Sequence, residues 1–556
     1  MTTMRIPLWR AALFVFGLAC CGLAASAPQD SGPGRSNTTG ATFRIAGTAV
    51  SAAGGSPLAR ARVSIFDTKN PENTQWMITA EDGRFEFNQL PPGKYSLQGA
   101  KRGFIRTGYE QHEEYSTAIV TGAGVDTEHL VLRLPPVAVL TGKVLDEAGE
   151  PVRNAMLWLY REDRRAGVSR IVRFRNTLTD DQGAYDLTPL DAGTYFLSVR
   201  AQPWYAVYPP VSADSKESGN PPADVDLSLD VAYPVTYYSD ATDSDDATPI
   251  PIRGGDHLQI DLHLNPVPAL HLLFHSSDKG GTAFPTLTRS AFGGEEVFSG
   301  TRASMVSPGV YAMTGLPAGR YRVRVPGANW AGMADEIEVT QDRQQVDLSR
   351  AEAAPAFKAT LQVEGQTTIP PHLGVFLRNS KLRAVDFQEV NAKGEVEFHG
   401  LTPGQYQVQI QSPDKRYSVV RISSSSGATS GQSLNVTGAP LTVSLTLAAG
   451  DVKVEGVVRH AGKPAARAMV VLVPKNPEAN HDLFRRDQSD LDGTFSLAAV
   501  VPGSYTICAI ENGWDLDWAR PGVIAHYCRR GKPVTVVSSH ATGTIHLTDT
   551  VELQPK

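Results

Sequence analysis

The stretch Leu90-Pro-Pro-Gly-Lys-Tyr95 reads as a tight turn followed by the start of a strand, because Pro and Gly favour turns and Tyr favours extended backbone. Four related stretches follow, at Leu190-Asp-Ala-Gly-Thr-Tyr195, Leu316-Pro-Ala-Gly-Arg-Tyr321, Leu401-Thr-Pro-Gly-Gln-Tyr406 and Val500-Val-Pro-Gly-Ser-Tyr505. Their tyrosines are 100, 126, 85 and 99 residues apart. A period close to the length of one small domain predicts a tandem array of similar modules.

The residues around each copy predict short strands. Before the first copy, residues 43–50 and 61–66 are apolar or alternating runs, and Asp82-Gly83 supplies a turn ahead of Phe85-Glu-Phe87. The same order recurs around the second and fifth copies, whereas the third and fourth keep mainly its second half. Short strands between turn signals, with no long helical period, predict an all-β fold of antiparallel sandwiches.

The order of these signals resembles the carboxypeptidase regulatory-like domain. The residues that carry the resemblance in the first copy are Gly47, Pro57, Ala61, Val63, Asp82, Gly83, Phe85, Leu90, Pro92, Gly93 and Tyr95. The resemblance implies a transthyretin-like, seven-stranded sandwich, grouped with carbohydrate-binding-like and collagen-binding B-type folds. The sequence as a whole therefore predicts about five tandem transthyretin-like (Ig-like) antiparallel β-sandwiches after a signal peptide.

The predicted boundaries follow from the spacing of the repeat and from proline-rich junctions. They are a signal peptide at 1–27, a flexible leader at 28–40, and sandwiches at 41–136, 137–266, 267–350, 355–449 and 450–552. The third and fourth sandwiches are divergent. The second carries an acidic, proline-rich insertion at about 205–250, which is either a functional loop or disordered padding.

The N-terminal residues predict export. Arg5 and Arg10 flank a polar start, residues 11–19 are apolar, and Ala25-Ser-Ala27 supplies the small residues of a cleavage site. An uncleaved anchor helix is the alternative. No later stretch has the ~18 apolar residues that span a bilayer. We therefore expect an extracytoplasmic protein that is secreted, periplasmic or associated with the outer membrane.

Cysteine usage fits an oxidising compartment. Cys20 and Cys21 fall in the predicted signal peptide, which leaves Cys508 and Cys528 in the last module. These two cysteines are predicted to form a disulfide, and two buried free thiols are the alternative.

Composition and motifs argue against several functions. The net charge is −6 and basic residues are not concentrated, so nucleic acid is not an expected partner. No His is followed three residues later by Glu, and no Gly-x-Ser-x-Gly motif occurs, so neither a zinc peptidase site nor a serine nucleophile is predicted. We expect no enzyme activity, no metal and no cofactor, and the acidic turns are interpreted as turn-stabilising.

Aromatic residues recur nine positions after four of the repeat tyrosines, at Phe104, Trp204, Trp330 and Trp514, and Tyr205 accompanies the second. They are either stacking platforms for sugar rings or hydrophobic plugs at the sandwich ends. The first alternative, with the resemblance, predicts a non-catalytic exported protein that binds polysaccharide or another cell-surface ligand. The second leaves a structural or adhesive envelope spacer, and a hydrolase with an unrecognised site is a remote third.

Overall fold

The computed structural model describes residues 41–209, 226–276, 284–298, 301–324, 333–348, 356–379, 384–399, 401, 403–413, 416–424, 429–430, 432–437, 439–537 and 543–556. The predicted signal peptide, the predicted leader, part of the insertion and Trp330 lie outside these residues. The chain divides into the units Met1–Ala41 and Thr42–Lys556, and all elements described below belong to the second unit.

Five successive groups of strands occur, and they are called modules 1 to 5 in chain order. Module 1 contains β1 (Phe43–Ser51), β2 (Arg62–Asp67), β3 (Thr74–Ile78), β4 (Arg84–Leu90), β5 (Gly93–Ala100), β6 (Thr107–Gly108), β7 (Ile119–Thr121) and β8 (Leu130–Leu134). Its sheets have the orders β4-β1-β8 and β3-β2-β5-β6, and β7 also pairs with β5.

Module 2 contains β9 (Val139–Leu145), β10 (Met156–Asp163), β11 (Arg170–Leu178), β12 (Ala184–Asp186), β13 (Gly193–Arg200), β14 (Val231–Ala232), β15 (Thr236–Tyr237), β16 (Ile250–Ile252), β17 (His257–Gln259) and β18 (Leu262–His263). Short 3-10 helices lie at Leu227–Leu229 and Ser244–Asp246. The main sheets are β11-β10-β13-β15 and β12-β9-β17.

Modules 3 and 4 each contain two main sheets, as modules 1 and 2 do. Module 3 contains β19 (Val267–Pro268), β20 (Leu270–His275), β21 (Thr286–Ala291), β22 (Gly294–Val297), β23 (Arg302–Ser307), β24 (Val310–Leu316), β25 (Gly319–Arg324), β26 (Met333–Val339) and β27 (Gln344–Asp347). Module 4 contains β28 (Phe357–Val363), β29 (Gly374–Asn379), β30 (Ala384–Glu389), β31 (Glu395–Phe398), β32 (Gly404–Gln411), β33 (Tyr417–Ser424), β34 (Thr429–Ser430), β35 (Ser433–Val436) and β36 (Leu441–Ala449).

Module 5 contains β37 (Val452–His460), β38 (Lys463–Pro464), β39 (Met469–Pro474), β40 (Arg485–Gln488), β41 (Thr494–Val500), β42 (Gly503–Ile510), β43 (Lys532–Val536), β44 (Gly543–His546) and β45 (Val551–Gln554). It also holds helix α1 (Pro521–Tyr527) and 3-10 helices at His481–Leu483 and Gly513–Asp515. Strand β45 pairs with both β37 and β42, which joins the two layers into one nine-stranded sheet.

One pairing pattern recurs in all five modules. The first long strand of each module pairs antiparallel with the strand that precedes the repeated turn and parallel with a strand near the module's end, as β1 does with β4 and β8. Strands β9, β20, β28 and β37 follow the same rule. The prediction of an all-β, antiparallel sandwich fold is confirmed. The exact module boundaries stay predictions, because Thr42–Lys556 form one compact unit.

The repeated turn places a buried tyrosine at the start of a strand of the second sheet. Strands β5, β13, β25, β32 and β42 all begin at the glycine of the repeat. The tyrosine two residues later is buried in every module. In modules 1, 2, 3 and 5 its hydroxyl donates to the backbone carbonyl four residues earlier, for example at 3.0 Å from Tyr95 to Pro91 and 2.9 Å from Tyr505 to Val501. The ring therefore fills the core while its polar atom stays hydrogen-bonded.

The glycine of the first strand permits close approach of two strands. A Cβ on Gly142 would lie 1.7 Å from the carbonyl oxygen of Ile260, and one on Gly47 would lie 2.1 Å from that of Leu130. Neither position has room for a side chain. The glycine in the first strand of modules 1 and 2 is thus explained by packing within the sheet rather than by function.

Candidate functional site

The predicted aromatic residues do not meet in one place. Trp204 is 84% exposed, and its ring lies edge-on to that of Tyr205 with centroids 5.9 Å apart. Phe104 is half-buried, packs against the core of module 1 and forms a bridge with Pro136 at the junction with module 2. The structure therefore separates an exposed aromatic pair in module 2 from an aromatic at a module junction.

Trp514 lies at the contact between modules 5 and 1. It is only 8% exposed, and its ring stacks on His112 with centroids 5.3 Å apart and planes within 6°. Tyr115 packs on the same indole, also at 5.3 Å. This position matches the plug alternative more closely than the stacking platform, since a ligand would have little access to the ring.

Tyr205 is held in place by its neighbours. Its hydroxyl donates to Glu147, and the hydroxyl of Tyr233 donates to the other carboxylate oxygen of Glu147 at 2.9 Å. Burial and the negative charge of Glu147 raise the pKa of Tyr205 to about 12, so the phenol stays protonated and keeps donating. The Trp204–Tyr205 pair is thus an exposed ring next to an anchored one.

Module 5 contacts module 1 directly although three modules separate them in sequence. The Lys94 ammonium lies 2.6 Å from Asp490, and the Arg486 guanidinium lies 2.7 Å from Glu113. The backbone N–H of Leu491 donates to the carbonyl of Ala118 at 3.0 Å. Charged, backbone and aromatic contacts together join the first and last modules.

Module 5 also contacts modules 2 and 4. The backbone N–H of Ala519 donates to the carbonyl of Gly167 in module 2 at 2.9 Å. The hydroxyl of Ser418 in module 4 donates to Asp482 at 2.7 Å, and the side chain of Gln432 accepts from the N–H of Asp482 at 3.1 Å. Module 5 is therefore in contact with three other modules.

A cavity of about 490 Å³ lies where modules 1, 2, 4 and 5 meet. Its lining contains five arginines, three carboxylates and three aromatic rings, namely Arg165, Arg378, Arg416, Arg485, Arg486, Glu114, Asp482, Asp487, Tyr115, Phe484 and Trp518. Glu114, Arg165 and Arg416 are exposed, so the cavity opens to solvent on their side. Its volume is in the usual range for small-molecule sites.

Three of the five arginines have carboxylate partners. Arg486 pairs with Glu113 and lies 4.4 Å above the ring of Trp518, while Arg416 lies 3.5 Å from Asp482 and Arg165 3.7 Å from Asp163. Among the described residues, no carboxylate forms an ion pair with Arg378 or Arg485. Arg378 and Arg485 therefore place positive charge at the cavity wall, with the carboxylate of Asp482 nearby but not within ion-pair distance of either guanidinium.

Arg485 is buried, with 6% of the whole residue exposed. Its Nε donates to the carbonyl of Ala499 at 2.6 Å, and its Nη1 donates to the carbonyls of Asp482 and Phe484 at 2.8 and 2.7 Å. Burial and the nearby charge of Arg416 lower its pKa to about 10. It remains protonated at neutral pH, so a buried cation is fixed at the cavity wall.

Asp487 is the one carboxylate of the lining whose pKa is clearly raised. Burial is the main cause, opposed by hydrogen bonds from the backbone N–H groups of Ser496 and Gln488, and the pKa lies at about 6. The N–H of Ser496 donates to its Oδ2 at 2.6 Å. Asp487 is therefore partly protonated in weakly acidic solution.

The cavity was missed by the sequence analysis. Arg485 begins β40 in a stretch of sequence, Arg485-Arg-Asp-Gln488, that is polar throughout although it lies in a sheet, and this was the only available signal. Arg378 comes from β29 of module 4, and no spacing along the chain brings it near β40. Only the contacts between modules place these side chains together.

In the described part of the chain, no group of three or more His, Cys, Asp or Glu side chains is arranged to hold a metal ion. No helix within the described ranges is long and apolar enough to cross a bilayer.

Cys508 and Cys528 are joined by a disulfide that connects β42 to the end of α1.

Comparison with known families bears on module 1. Residues 44–126 match the model of the carboxypeptidase regulatory-like domain. The resemblance that the repeat indicates is thereby confirmed over this module. No curated protein matches the chain.

Several solved structures of bacterial proteins show a weak likeness to the chain. The Bacillus anthracis TIE protein is 13% identical over 75% of each chain with a TM-score of 0.17. A streptococcal ancillary pilin is 13% identical over 55% of this chain and 99% of its own, with a TM-score of 0.19. Two B repeat units of the Staphylococcus aureus collagen-binding protein are 10% identical over 73% of this chain and all of theirs, with a TM-score of 0.12. Likenesses of this size carry no argument about function.

Proposed function

We propose that the protein is a non-catalytic, exported binding protein that holds polysaccharide on an exposed aromatic surface. The observation that carries this proposal is the 84% exposure of Trp204 beside the anchored ring of Tyr205. Exposing a large apolar indole to water is unfavourable. Exposed rings of this kind mark sites where the flat apolar face of a partner packs. The C–H faces of sugar rings are partners of that kind.

The support for this proposal extends to the neighbouring polar groups. Glu147 accepts hydrogen bonds from both Tyr205 and Tyr233, which fixes the orientation of the ring next to Trp204. A rigid aromatic neighbour lowers the entropy lost when a ligand is bound. The domain type of module 1 agrees with a binding role, although a fold by itself does not define a function.

The test is Trp204→Ala, examined by affinity electrophoresis in gels that contain plant or cell-wall polysaccharides. We expect the wild-type protein to be retarded by at least one polysaccharide and the variant to migrate as in a gel without it. Thermal unfolding of the variant should stay within about 0.5 kcal/mol of the wild type, because exposed side chains contribute little to stability.

Trp514→Ala provides the matched control, because this indole is 8% exposed between modules 5 and 1. Its removal should lower stability by about 3–5 kcal/mol. Equal retardation of the wild type and the Trp204→Ala variant by the same polysaccharide would show that the exposed ring does not bind sugar.

A structural or adhesive role is the second candidate, and the contacts between modules favour it. Buried Glu296 of module 3 accepts from Arg173 at 2.8 Å, from Arg200 at 2.5 Å and from the hydroxyl of Tyr160 at 3.0 Å, all in module 2. Charge-assisted bonds of this kind fix the geometry of neighbouring modules. A chain whose neighbouring modules are held in fixed positions is suited to a structural role in the cell envelope.

A further inference from the structure

The cavity between modules 1, 2, 4 and 5 has unmatched hydrogen-bonding groups on its wall. Nε of Arg378, Nη2 of Arg485 and Nε1 of Trp518 are buried and have no hydrogen-bond partner among the described residues. All three are donors, and two of them belong to cations. Buried donors without acceptors are costly, so the wall is arranged to meet a group that supplies acceptor oxygens and negative charge.

Three other features of the wall indicate which further chemical groups the ligand carries. The carboxylates of Asp482 and Glu114 and the amides of Gln407 and Gln409 lie around the same space and suit hydroxyl groups, which can both donate and accept. The ring of Trp518 offers an apolar surface for a sugar face. The carboxylates would oppose a multiply charged phosphate at close range.

We propose that this cavity binds a carboxylate-bearing sugar, a uronic acid, with its carboxylate against Arg378 and Arg485. A guanidinium matches a carboxylate in shape and hydrogen-bonding direction. The sugar hydroxyls then meet the carboxylates and amides of the wall, and the pyranose ring lies against the aromatic side chains. This inference goes beyond the proposed polysaccharide surface, because it concerns a different site and does not require Trp204.

The site exists only when the modules are joined. Arg378 belongs to module 4, Arg485 and Trp518 to module 5, Tyr115 to module 1 and Arg165 to module 2. A ligand held by all of these groups would stabilise the joined arrangement over any separated one, since it binds only the former. Binding should therefore raise the unfolding temperature.

The experiment measures binding of galacturonic acid to the full chain by titration calorimetry and by thermal unfolding, with galactose and inorganic phosphate as comparison probes. We expect galacturonate to bind and raise the unfolding temperature. Galactose, which lacks the carboxylate, should bind at least tenfold more weakly, and phosphate should bind more weakly than galacturonate. Equal binding of galactose and galacturonate, or tighter binding of phosphate, would overturn the proposal.

Single substitutions test whether galacturonate binds in this cavity. Arg378→Gln removes a cation that has no ion pair among the described residues, and it should weaken galacturonate binding by about tenfold to a hundredfold. Arg102→Gln is the matched control, because Arg102 is exposed in module 1 and does not line the cavity. The control should bind as the wild type does. Arg485→Gln is a less suitable probe, since its bonds to three carbonyls support the fold.

Two further readouts separate this site from the exposed aromatic pair. Trp204→Ala should leave galacturonate binding unchanged, even where it abolishes retention by a polysaccharide. Galacturonate should alter the intrinsic tryptophan fluorescence of the wild type, and Trp518→Phe should remove most of that change. Binding that is lost in Trp204→Ala but unaffected in Arg378→Gln would place the acid at the exposed pair and contradict the assignment to the cavity.

Discussion

At the scale of single residues, the repeated signature mostly records packing constraints. Gly142 lies in β9 where the carbonyl of Ile260 in the parallel neighbour occupies the space of a side chain. Ala155 is fully buried, and its N–H donates to the hydroxyl of Thr179 at 2.8 Å, as Ala61 does to Thr79 at 2.9 Å. The glycine and the alanine of the pattern thus each have a structural cause within their own module.

The glycine constraint gives a direct prediction. Gly142→Ala places a methyl group 1.7 Å from the Ile260 oxygen, so β9 and the neighbouring strand must separate. We expect a loss of at least about 2 kcal/mol in the free energy of unfolding. Gly54→Ala is the control, because a Cβ there meets nothing within 4 Å. Urea unfolding of both variants checks this, and equal stabilities would show that β9 is not packed as described.

The raised pKa of Asp487 gives a pH-dependent prediction. Its pKa is about 6 in the folded protein and near the ordinary aspartate value of 3.8 when unfolded, so between these two pH values the folded state holds a proton that the unfolded state lacks. The contribution of Asp487 to stability is therefore greatest below about pH 4 and is lost as the pH rises through about 6, by at most about 3 kcal/mol.

Asp487→Asn should remove this loss while keeping an acceptor for the N–H of Ser496. The stability of the variant relative to the wild type should rise between pH 4 and 6 and stay level above that, as measured by urea unfolding at several pH values. A difference that is the same at pH 4 and pH 7 would mean that Asp487 titrates normally.

At the scale of elements, the sequence predicts where the strands lie better than it predicts which strands pair with each other. The turn glycines at Gly93, Gly193 and Gly503 begin the strands that the repeat predicts, because local turn chemistry is sufficient to place them. The parallel pairing of β1 with β8 joins residues far apart in the chain, and no local pattern specifies it. Helix α1 is seven residues long, too short to give a periodic signal.

The disulfide is an element-scale feature with a measurable contribution. Cys508 and Cys528 are 20 residues apart and tie β42 to the end of α1, so the bridge closes the loop that carries Trp514 and Trp518. Replacing both cysteines with Ala should cost about 3 kcal/mol, since the closed loop restricts the unfolded chain. Thermal unfolding of the double variant measures this, and an unchanged transition would show that the loop is held by its other contacts alone.

At the scale of the whole molecule, contacts between distant modules create features that no single module contains. The cavity needs residues from four modules, and Trp514 is covered both by its own module and by His112 and Tyr115 of module 1. The sequence predicted the aromatic positions, but whether each is exposed depends on which module lies next to it. Trp204 and Trp514 occupy equivalent positions in the repeat and have opposite environments for this reason.

The ion pair between modules 1 and 5 tests their contact. The Arg486 side chain is 5% exposed, so Glu113→Gln leaves a buried cation without its carboxylate and should cost about 3–5 kcal/mol. Glu128→Gln is the matched control, because its pair with Arg44 is exposed and should change stability by less than about 1 kcal/mol. Urea unfolding distinguishes the two. If Glu113→Gln is as mild as its control, modules 1 and 5 are not joined at this point.

We propose that the chain binds polysaccharide without cleaving it. The most direct measurement incubates the full chain with an acidic polysaccharide such as polygalacturonate and follows both co-sedimentation of the protein and the length of the polymer. We predict that the protein sediments with the polymer and that the polymer keeps its full length. A shortened polymer, or protein that stays entirely in solution with every polysaccharide tested, would contradict the claim.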